Sequence, residues 1–227
     1  MKTTQKGTEG ILNKVCRRYR CNAKNKTISI QNLIRTHKPK NQTQLKFLIE
    51  SEKGEGCIDK WSEHLYDCYL RFKNDNPNIP YKNLEDCKIF MNYLFVEGSI
   101  KGGKMEEIAL DIFKKSKILK DLNYTACMGS EENDFKHAID IVIYDDNNEV
   151  VLGIQVKPES YKNFANHCTD AEVHAVNVKK NRDFGKPVLY IYYNKQGTFT
   201  GNDTFKEDYK QLLYKHKSNT CKVQITY

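Results

Sequence analysis

Apolar residues in the first hundred positions recur three and four residues apart, the spacing of amphipathic helices. Three segments show this spacing clearly: Gln42 to Ser51, Ile58 to Lys73 and Asn83 to Phe95. The stretch from Asn74 to Pro80, which contains two prolines, separates the second segment from the third. We therefore predict a mostly helical N-terminal region over residues 1–98, with Trp61 and Tyr69 packed in its core.

The pattern changes near residue 100 from helical spacing to short apolar runs. Lys101 to Ser116 is predicted to be a helix, and its apolar stripe contains Met105, Ala109, Ile112 and Phe113. A short strand is expected at Tyr124 to Met128. The segments Ala138 to Tyr144 and Val150 to Lys157 carry the strongest strand signals, and turn-forming residues 145–149 join them. These two segments are predicted to form an antiparallel hairpin.

A helix and a further strand follow the hairpin. Pro158 ends the second hairpin strand. Thr169 and Glu172 form a T-x-x-E capping box that opens a helix to about Lys180, and Val188 to Tyr193 is the last strand. The order of helix, three strands, helix and strand indicates an α/β (α+β) fold with a mixed central sheet.

Composition places the chain among folded basic proteins. Its 227 residues contain 37 Lys and Arg against 29 Asp and Glu, a formal net charge of +8, while hydrophobic residues make up 39%. This apolar content is too high for a disordered basic tail. The excess of positive charge favours nucleic acid, an anionic membrane or an acidic protein as partner.

Targeting and cysteine patterns favour a reducing compartment. The N-terminal residues lack an apolar core of signal-peptide length, and no apolar run approaches the length that spans a bilayer. We therefore expect a cytoplasmic protein without a membrane partner. The eight cysteines are irregularly spaced and include no C-x-x-C pair, so we expect reduced thiols and no structural zinc site.

Polar side chains interrupt both apolar hairpin strands, which buried strands normally avoid. Asp140 lies in the first strand, and Gln155 and Lys157 share one face of the second. If the turn is centred between Asn147 and Asn148, Asp140 lies opposite Gln155, and Lys157 is its diagonal neighbour. The pattern thus predicts that an acid, an amide oxygen and an ammonium group converge.

A second acid comes from the helix before the strands. Glu106 lies at the edge of the apolar stripe, three residues before Ala109 and seven before Phe113. Glu107, in contrast, aligns with Asp111 on the polar side of the helix. Glu106 is therefore expected to face the sheet.

This set of side chains suits metal-assisted hydrolysis of a phosphodiester. Carboxylate oxygens hold Mg²⁺, a hard cation, and a metal with a nearby lysine activates water and neutralises charge in the transition state. Lys157 can also bind the scissile phosphate as a point charge. The alternative is that Asp140 and Lys157 form only an ion pair at a sheet end, with Glu106 a solvated helix residue.

Glu106, then Asp140, then Gln155-x-Lys157, followed by a helix and a strand, resemble the PD-(D/E)XK nucleases, specifically their D…QxK variant. The order of elements over residues 100 to 194 is similar to the restriction-endonuclease-like αβββαβ core of that family. Two features depart from the family pattern. No proline precedes Asp140, and Gln155 replaces the usual acid.

The resemblance implies Mg²⁺-dependent hydrolysis of duplex DNA. It makes Glu106, Asp140, Gln155 and Lys157 the catalytic residues. It implies Asp140 as the principal metal ligand, and Glu106 would supply the charge that is missing at Gln155. Gln155 itself and the backbone carbonyl of Val156 would complete the metal ligands.

Small stand-alone basic chains in this superfamily resemble type II restriction endonucleases, and the Lys- and Asn-rich composition is similar to that of compact cutters of A/T-rich sites. The resemblance implies a homodimer whose two active sites act across a palindrome. Residues 1–98 would supply a dimer interface or DNA-clasping arms, residues 99–194 the nuclease core, and residues 195–227 an extension with a base-contacting loop. The candidate DNA-binding residues are Lys162, Asn163, Asn166, Lys179, Lys180, Arg182, Asn194 and Lys195.

Other functions stay open at this point. A junction resolvase or a repair nuclease would share the core and differ in substrate, whereas a catalytically silent DNA-binding module would keep the fold without cutting. His137, Asn163 and His167 also resemble an HNH-type metal site. That interpretation would require the interval between them to hold the strand pair already assigned to the hairpin.

Overall fold

The computed structural model describes residues 6–19, 21, 30–159, 161, 171–201 and 204–224. The chain divides into two compact units, and the division falls between Gly103 and Lys104. Among the described residues, no helix combines the length and the apolar character needed to cross a membrane.

The N-terminal unit is built from helices: α1 (Lys6–Arg18), α2 (Ile30–His37), α3 (Gln42–Lys53), α4 (Cys57–Asp75) and α5 (Leu84–Asn92), followed by a π-helical segment, Tyr93–Glu97. Helices α3, α4 and α5 confirm the three predicted helical segments. Helices α1 and α2 have no counterpart in the predicted pattern.

Side-chain caps explain where two of these helices begin. The Asn41 side chain accepts a hydrogen bond from the backbone N–H of Gln44 at the start of α3. Asn83 and Asp86 form a reciprocal capping box at the start of α5. Each cap satisfies backbone donors that the first helical turn leaves without a partner.

The core of the N-terminal unit lies between the apolar faces of its helices. Its fully buried side chains include Leu12 of α1, Leu45 of α3, and Leu65 and Tyr69 of α4. Trp61 packs against Phe95 with a ring-centroid distance of 4.9 Å. The predicted core role of Trp61 and Tyr69 is therefore confirmed.

The remaining elements are α6 (Gly98–Lys114), α7 (Lys117–Leu122), β1 (Thr125–Met128), α8 (Glu131–His137), β2 (Ile141–Tyr144), β3 (Val150–Pro158), α9 (Ala171–Asp183), β4 (Val188–Tyr193), β5 (Phe199–Gly201) and α10 (Phe205–Gln224). The strands form one sheet in the order β1-β2-β3-β4-β5. Strands β3 and β4 are parallel, and the other neighbours are antiparallel. The helical N-terminal region and this mixed sheet confirm the predicted fold class.

The hairpin of β2 and β3 has the predicted register at its open end. Ile141 pairs with Ile154, so Asp140 and Gln155, the next residue on each strand, lie opposite each other. Next to the turn, Tyr144 pairs with Val150, one residue away from the predicted alignment. A bulge between this pair and the pair of Ile143 with Leu152 adds one residue on β3, which restores the predicted alignment from Ile143 onwards.

One face of the sheet packs against α6 and α10. Ile154 and Val156 of β3 are buried there, together with Met105, Ala109 and Phe113 of α6 and Tyr209 and Leu213 of α10. Because side chains alternate along a strand, Gln155 and Lys157 lie on the opposite face of β3. The sheet thus separates an apolar core from a polar face.

Several elements differ from the predicted pattern. Strand β5 and helix α10 follow Asn194 and were not predicted as elements; Tyr209 and Leu213 of α10 fill the core beside the sheet. The short helices α7 and α8 were not expected from apolar spacing. Ile112, expected in the apolar stripe of α6, is 48% exposed.

Candidate active site

Asp140 lies at the start of β2 and is 3% exposed. Its carboxylate oxygen Oδ2 accepts hydrogen bonds from the backbone N–H of Val156, at 2.7 Å, and from the Lys157 ammonium, at 3.1 Å. The backbone N–H of Asp140 donates to the carbonyl of Ile154 at 3.0 Å. The structure therefore brings Asp140 and Lys157 together at the open end of the hairpin.

Gly129 holds the backbone on the other side of Asp140. Its N–H donates to the Asp140 carbonyl at 2.8 Å. A Cβ atom at this position would lie 2.3 Å from the carbonyl oxygen of Ile139, a distance that no side chain tolerates. The glycine that follows β1 thus allows the backbone approach that positions the acid.

Lys157 lies among three acidic residues. Its side chain is 22% exposed. Burial by itself lowers the pKa of Lys157, but the charges of Asp140, Glu106 and Asp134, with the hydrogen bond to Asp140, raise this pKa well above its usual value. The lysine is therefore a cation at neutral pH.

Glu106 has the orientation that its sequence position predicts. It is 7% exposed, whereas the adjacent Glu107 is exposed. Its negative charge is one cause of the raised pKa of Lys157. Helix α6 therefore presents one acid towards the sheet and the next one towards solvent.

Gln155 is fully buried on the same strand face as Lys157. Its Nε2 donates to the side-chain oxygen of Asn181 on α9 at 2.9 Å, and the Asn181 amide is bonded to the hydroxyl of Tyr190 at 2.6 Å. The other end of the amide, Oε1, has no hydrogen-bond partner among the described residues. A buried carbonyl oxygen in this state is costly unless a ligand satisfies it.

The Asn181 amide has a second orientation that suits its neighbours. When it is rotated, its nitrogen donates to the carbonyls of His137, at 2.9 Å, and Asn177, at 3.2 Å, and its oxygen accepts from Tyr190. Gln155 must then rotate in step so that its oxygen faces Asn181. In both arrangements one polar end of the Gln155 amide is left over.

A row of stacked tyrosines lies beside this polar face. Tyr161 stacks on Tyr190 with a centroid distance of 6.2 Å, and Tyr190 stacks on Tyr192 at 6.3 Å. The parallel register pairs Tyr190 with Gln155 and Tyr192 with Lys157. Burial raises the pKa of Tyr190 to about 12, so its hydroxyl stays protonated and holds Asn181 in place.

The site offers the ligand atoms that Mg²⁺ takes. Carboxylate, amide and backbone carbonyl oxygens are available from Asp140, Glu106, Gln155 and Val156, and hard cations prefer oxygen ligands. In the orientation in which its Oε1 has no hydrogen-bond partner among the described residues, the Gln155 amide adds an oxygen to this set. These oxygens fit a hard divalent cation.

Sequence patterns did not identify three residues of this site: Asp134, Asn181 and Tyr190. Asp134 lies in the first turn of α8. The sequence feature that could have predicted this helix start is the N-cap Ser130 followed by acidic residues. The alternation of side chains along a strand predicts which face of β4 carries Tyr190. It does not predict that Tyr190 lies beside Gln155, because that depends on the parallel register of β3 and β4. Asn181 reaches Gln155 only because α9 packs on the sheet, and no local signal indicates this.

The candidate DNA-binding residues lie in different places. Lys179 and Arg182 are exposed on α9, Lys180 is partly exposed there, and Lys195 is exposed in the turn after β4. Asn194 closes that turn, since its side-chain oxygen accepts from the N–H of Thr198 at 3.0 Å. The other candidates lie outside the described residues: Lys162, Asn163 and Asn166.

The rival histidine site is not assembled by the described residues. His137 ends α8, and its ring lies 5.5 Å from that of Phe184. Asn163 and His167 lie outside the described residues, as does the N-cap Thr169 of the predicted capping box. The interval after His137 holds β2 and β3, as the hairpin prediction requires.

Comparison with known proteins adds one finding. The model of the MjaI restriction endonuclease family matches residues 9–212, most of the chain. A search of curated proteins and a search of solved structures each gave no match. The narrower resemblance to compact cutters of A/T-rich sites has no support from these comparisons.

Proposed function

This chain belongs to the MjaI restriction endonuclease family and is therefore a site-specific deoxyribonuclease of the type II restriction class; we propose that it hydrolyses duplex DNA at the open end of the β2–β3 hairpin. The observation that carries this proposal is the contact of Asp140 with Lys157 at 3.1 Å, beside the buried Glu106. Buried acids around a lysine at a strand end are costly to maintain. Binding of a cation by the acids and of a phosphate by the lysine would offset this cost.

The side chains divide the chemistry between them. Lys157, kept cationic by its acidic neighbours, binds a non-bridging phosphate oxygen and offsets the charge that grows as water attacks the phosphorus. Asp140 holds this ammonium in place through Oδ2. Glu106 orients the attacking water and accepts its proton.

A divalent cation completes the proposed mechanism. The oxygens of Asp140, Glu106, Gln155 and the Val156 carbonyl would hold Mg²⁺, which supplies charge neutralisation and a more acidic water. Asn181 and Tyr190 orient the Gln155 amide through the bonds at 2.9 and 2.6 Å. Such supporting contacts set the geometry of metal ligands.

The DNA contacts and the assembly are part of the proposal. The exposed cations Lys179, Arg182 and Lys195 lie in the same unit as the site, and the net charge of +8 favours binding to the phosphate backbone. Two active sites related by a two-fold axis can cut both strands of a palindrome in one binding event. We propose that a second copy of the chain supplies the second one.

The first experiment is digestion of a large duplex genome by the purified protein, with Mg²⁺ or with a chelator, followed by sequencing of the fragment ends. We expect discrete Mg²⁺-dependent fragments whose ends share one short palindrome. A smear, or cutting of branched DNA alone, would indicate a repair or junction substrate instead. Tight binding of DNA with no metal-dependent product would contradict the proposed active site.

A further inference from the structure

Three metal-ligating side chains converge in the N-terminal unit. The Sγ atoms of Cys21 and Cys68 and a ring nitrogen of His64 all lie within 4.8 Å of one another. Cys21 is 1% exposed and Cys68 is 3% exposed. The proposed nuclease mechanism uses none of them.

Helix α4 presents two of these ligands on one face. His64 and Cys68 are four residues apart, one helical turn, so their side chains project in the same direction. The distance between Nε2 of His64 and Sγ of Cys68 is 3.8 Å. Ligands on a tetrahedral zinc ion lie about 3.5 Å apart, given Zn–S of about 2.3 Å and Zn–N of about 2.0–2.1 Å.

The end of α1 brings the other cysteines to this face. The backbone N–H of Cys21 donates to the carbonyl of Cys16 at 2.9 Å, a six-to-one closure typical of helix C-termini. Helix α1 packs against α4. The closure therefore lies beside α4, where the Cys21 thiol meets His64 and Cys68.

Cys16 is the nearest candidate for a fourth ligand. It is 2% exposed and interacts with the Cys21 thiol, but it is not one of the three ligands whose atoms lie within 4.8 Å of one another. The four residues have the spacing C-x4-C and H-x3-C. A rotation of the Cys16 side chain towards the other three would complete a tetrahedral set of three sulfurs and one imidazole, the kind that structural zinc sites use.

We propose that Cys16, Cys21, His64 and Cys68 bind one Zn²⁺ ion that ties the end of α1 to α4. With four protein ligands the site has no open position, so the ion is structural and not catalytic. The sequence does not show this site as a C-x-x-C motif. His64 and Cys68 are one helical turn apart on α4, and Cys16 and Cys21 lie on either side of the end of α1. The proposal is independent of the nuclease mechanism.

The first test is the metal content of the full-length protein, measured by mass spectrometry after purification with added zinc and without chelators. We expect about one zinc ion per chain. Replacement by Co²⁺ should give the intense visible bands of tetrahedral cobalt and thiolate-to-cobalt charge transfer. A protein that retains no zinc and shows no such bands on cobalt titration would overturn the proposal, as would a Cys16–Cys21 disulfide in freshly purified protein.

Variants separate binding from folding. Cys68→Ser and His64→Ala should each lose most of the zinc and lower the Tm, whereas Cys57→Ser removes a buried thiol of α4 outside the cluster and should keep the full zinc content. Full zinc content in Cys68→Ser would contradict the assignment. If this variant fails to fold, the cobalt titration of the unaltered protein decides. Asp140→Asn should be inactive yet keep its zinc, so failure of the nuclease proposal and of the zinc proposal are distinguishable.

Discussion

Two buried aspartates mark the two ends of β2, and we propose different roles for them. Asp140 precedes the strand and Asp145 follows it, and each is 3% exposed. The Oδ1 atom of Asp145 accepts from the N–H groups of Asn147, at 2.9 Å, and Glu149, at 2.8 Å. Its Oδ2 lies 3.0 Å from Nε2 of His216 on α10.

The difference lies in what surrounds each carboxylate. The bonds of Asp145 are made within its own turn and to one helix, so they close the hairpin and attach α10. Asp140 instead contacts Lys157, whose pKa is also raised by the charges of Glu106 and Asp134. Gln155, with an amide oxygen that has no hydrogen-bond partner among the described residues, lies opposite Asp140. Burial and charge are therefore common to both aspartates, and only Asp140 also converges with other charged groups. This convergence is the reason that we propose a catalytic role for Asp140.

The largest expected effect is at Asp140. Asp140→Asn keeps the size of the side chain and removes its charge, so we expect a loss of about 4 kcal/mol of transition-state stabilisation, roughly 10³-fold in cleavage rate. Binding of DNA in a gel-shift assay should remain. Asp146→Asn, an exposed neighbour of Asp145, is the control and should cut normally. Retained cleavage by Asp140→Asn would contradict the catalytic role proposed for Asp140 and leave it, like Asp145, with a structural role.

Lys157 should have the next largest effect. Lys157→Met keeps the apolar stem and removes the cation that faces the phosphate, with an expected loss of about 10²–10³-fold in cleavage rate. Lys136→Met is the matched control, since Lys136 is exposed and pairs only with Glu132 at 2.6 Å among the contacts seen. Single-turnover rates would show the effect on the chemical step. Equal rates for both variants would exclude a role for Lys157.

The two adjacent acids of α6, Glu106 and Glu107, test whether only the buried acid contributes to cleavage. Glu106→Gln should reduce cleavage about 10–100-fold, because the buried carboxylate supports the site. Glu107→Gln, in the exposed position, should have no effect on the rate. The comparison requires only cleavage rates at saturating Mg²⁺. A larger effect at Glu107 would show that the face assignment of α6 is wrong.

Asp145 should matter for stability instead of cleavage. Asp145→Ala leaves two backbone N–H groups and His216 without their acceptor, so we expect a decrease of about 2–3 kcal/mol in the free energy of unfolding. Asp146→Ala breaks only an exposed pair with Lys217 and should cost about 0–1 kcal/mol. Urea unfolding followed by circular dichroism measures both. The specific activity of folded Asp145→Ala should be close to that of the unaltered protein.

The smallest expected effect is the change in the free energy of unfolding at acidic pH. Burial by itself raises the pKa of Asp145, but hydrogen bonds from His216, Glu149 and Asn147 outweigh it and lower this pKa below its usual value. The stabilisation is therefore complete above the unfolded pKa of about 3.9 and is lost as the pH falls through the lower folded value. The difference in unfolding free energy between the protein and Asp145→Asn should narrow below about pH 4. A constant difference from neutral pH to pH 3 would contradict this account.

Local chemistry in the sequence was sufficient for much of this protein. Helical spacing predicted α3, α4 and α5, and a short turn between two apolar runs predicted the hairpin and its register at Asp140. The period of 3.6 residues separated Glu106 from Glu107. In each case the interacting residues are close in sequence or joined by a tight turn, so their geometry follows from the local backbone.

Tertiary structure alone decided the rest. The parallel pairing of β3 with β4 brings Tyr190 beside Gln155, and no turn links the two strands to set their register. Asn181 meets Gln155, and Cys21 meets His64, only after helices pack across long intervals of chain. Such contacts depend on the burial of whole faces, which repays the entropy of closing long loops. The sequence by itself predicted α3 to α6, β1 to β4 and the three charged residues of the candidate site, while packing decided which distant side chains lie beside them.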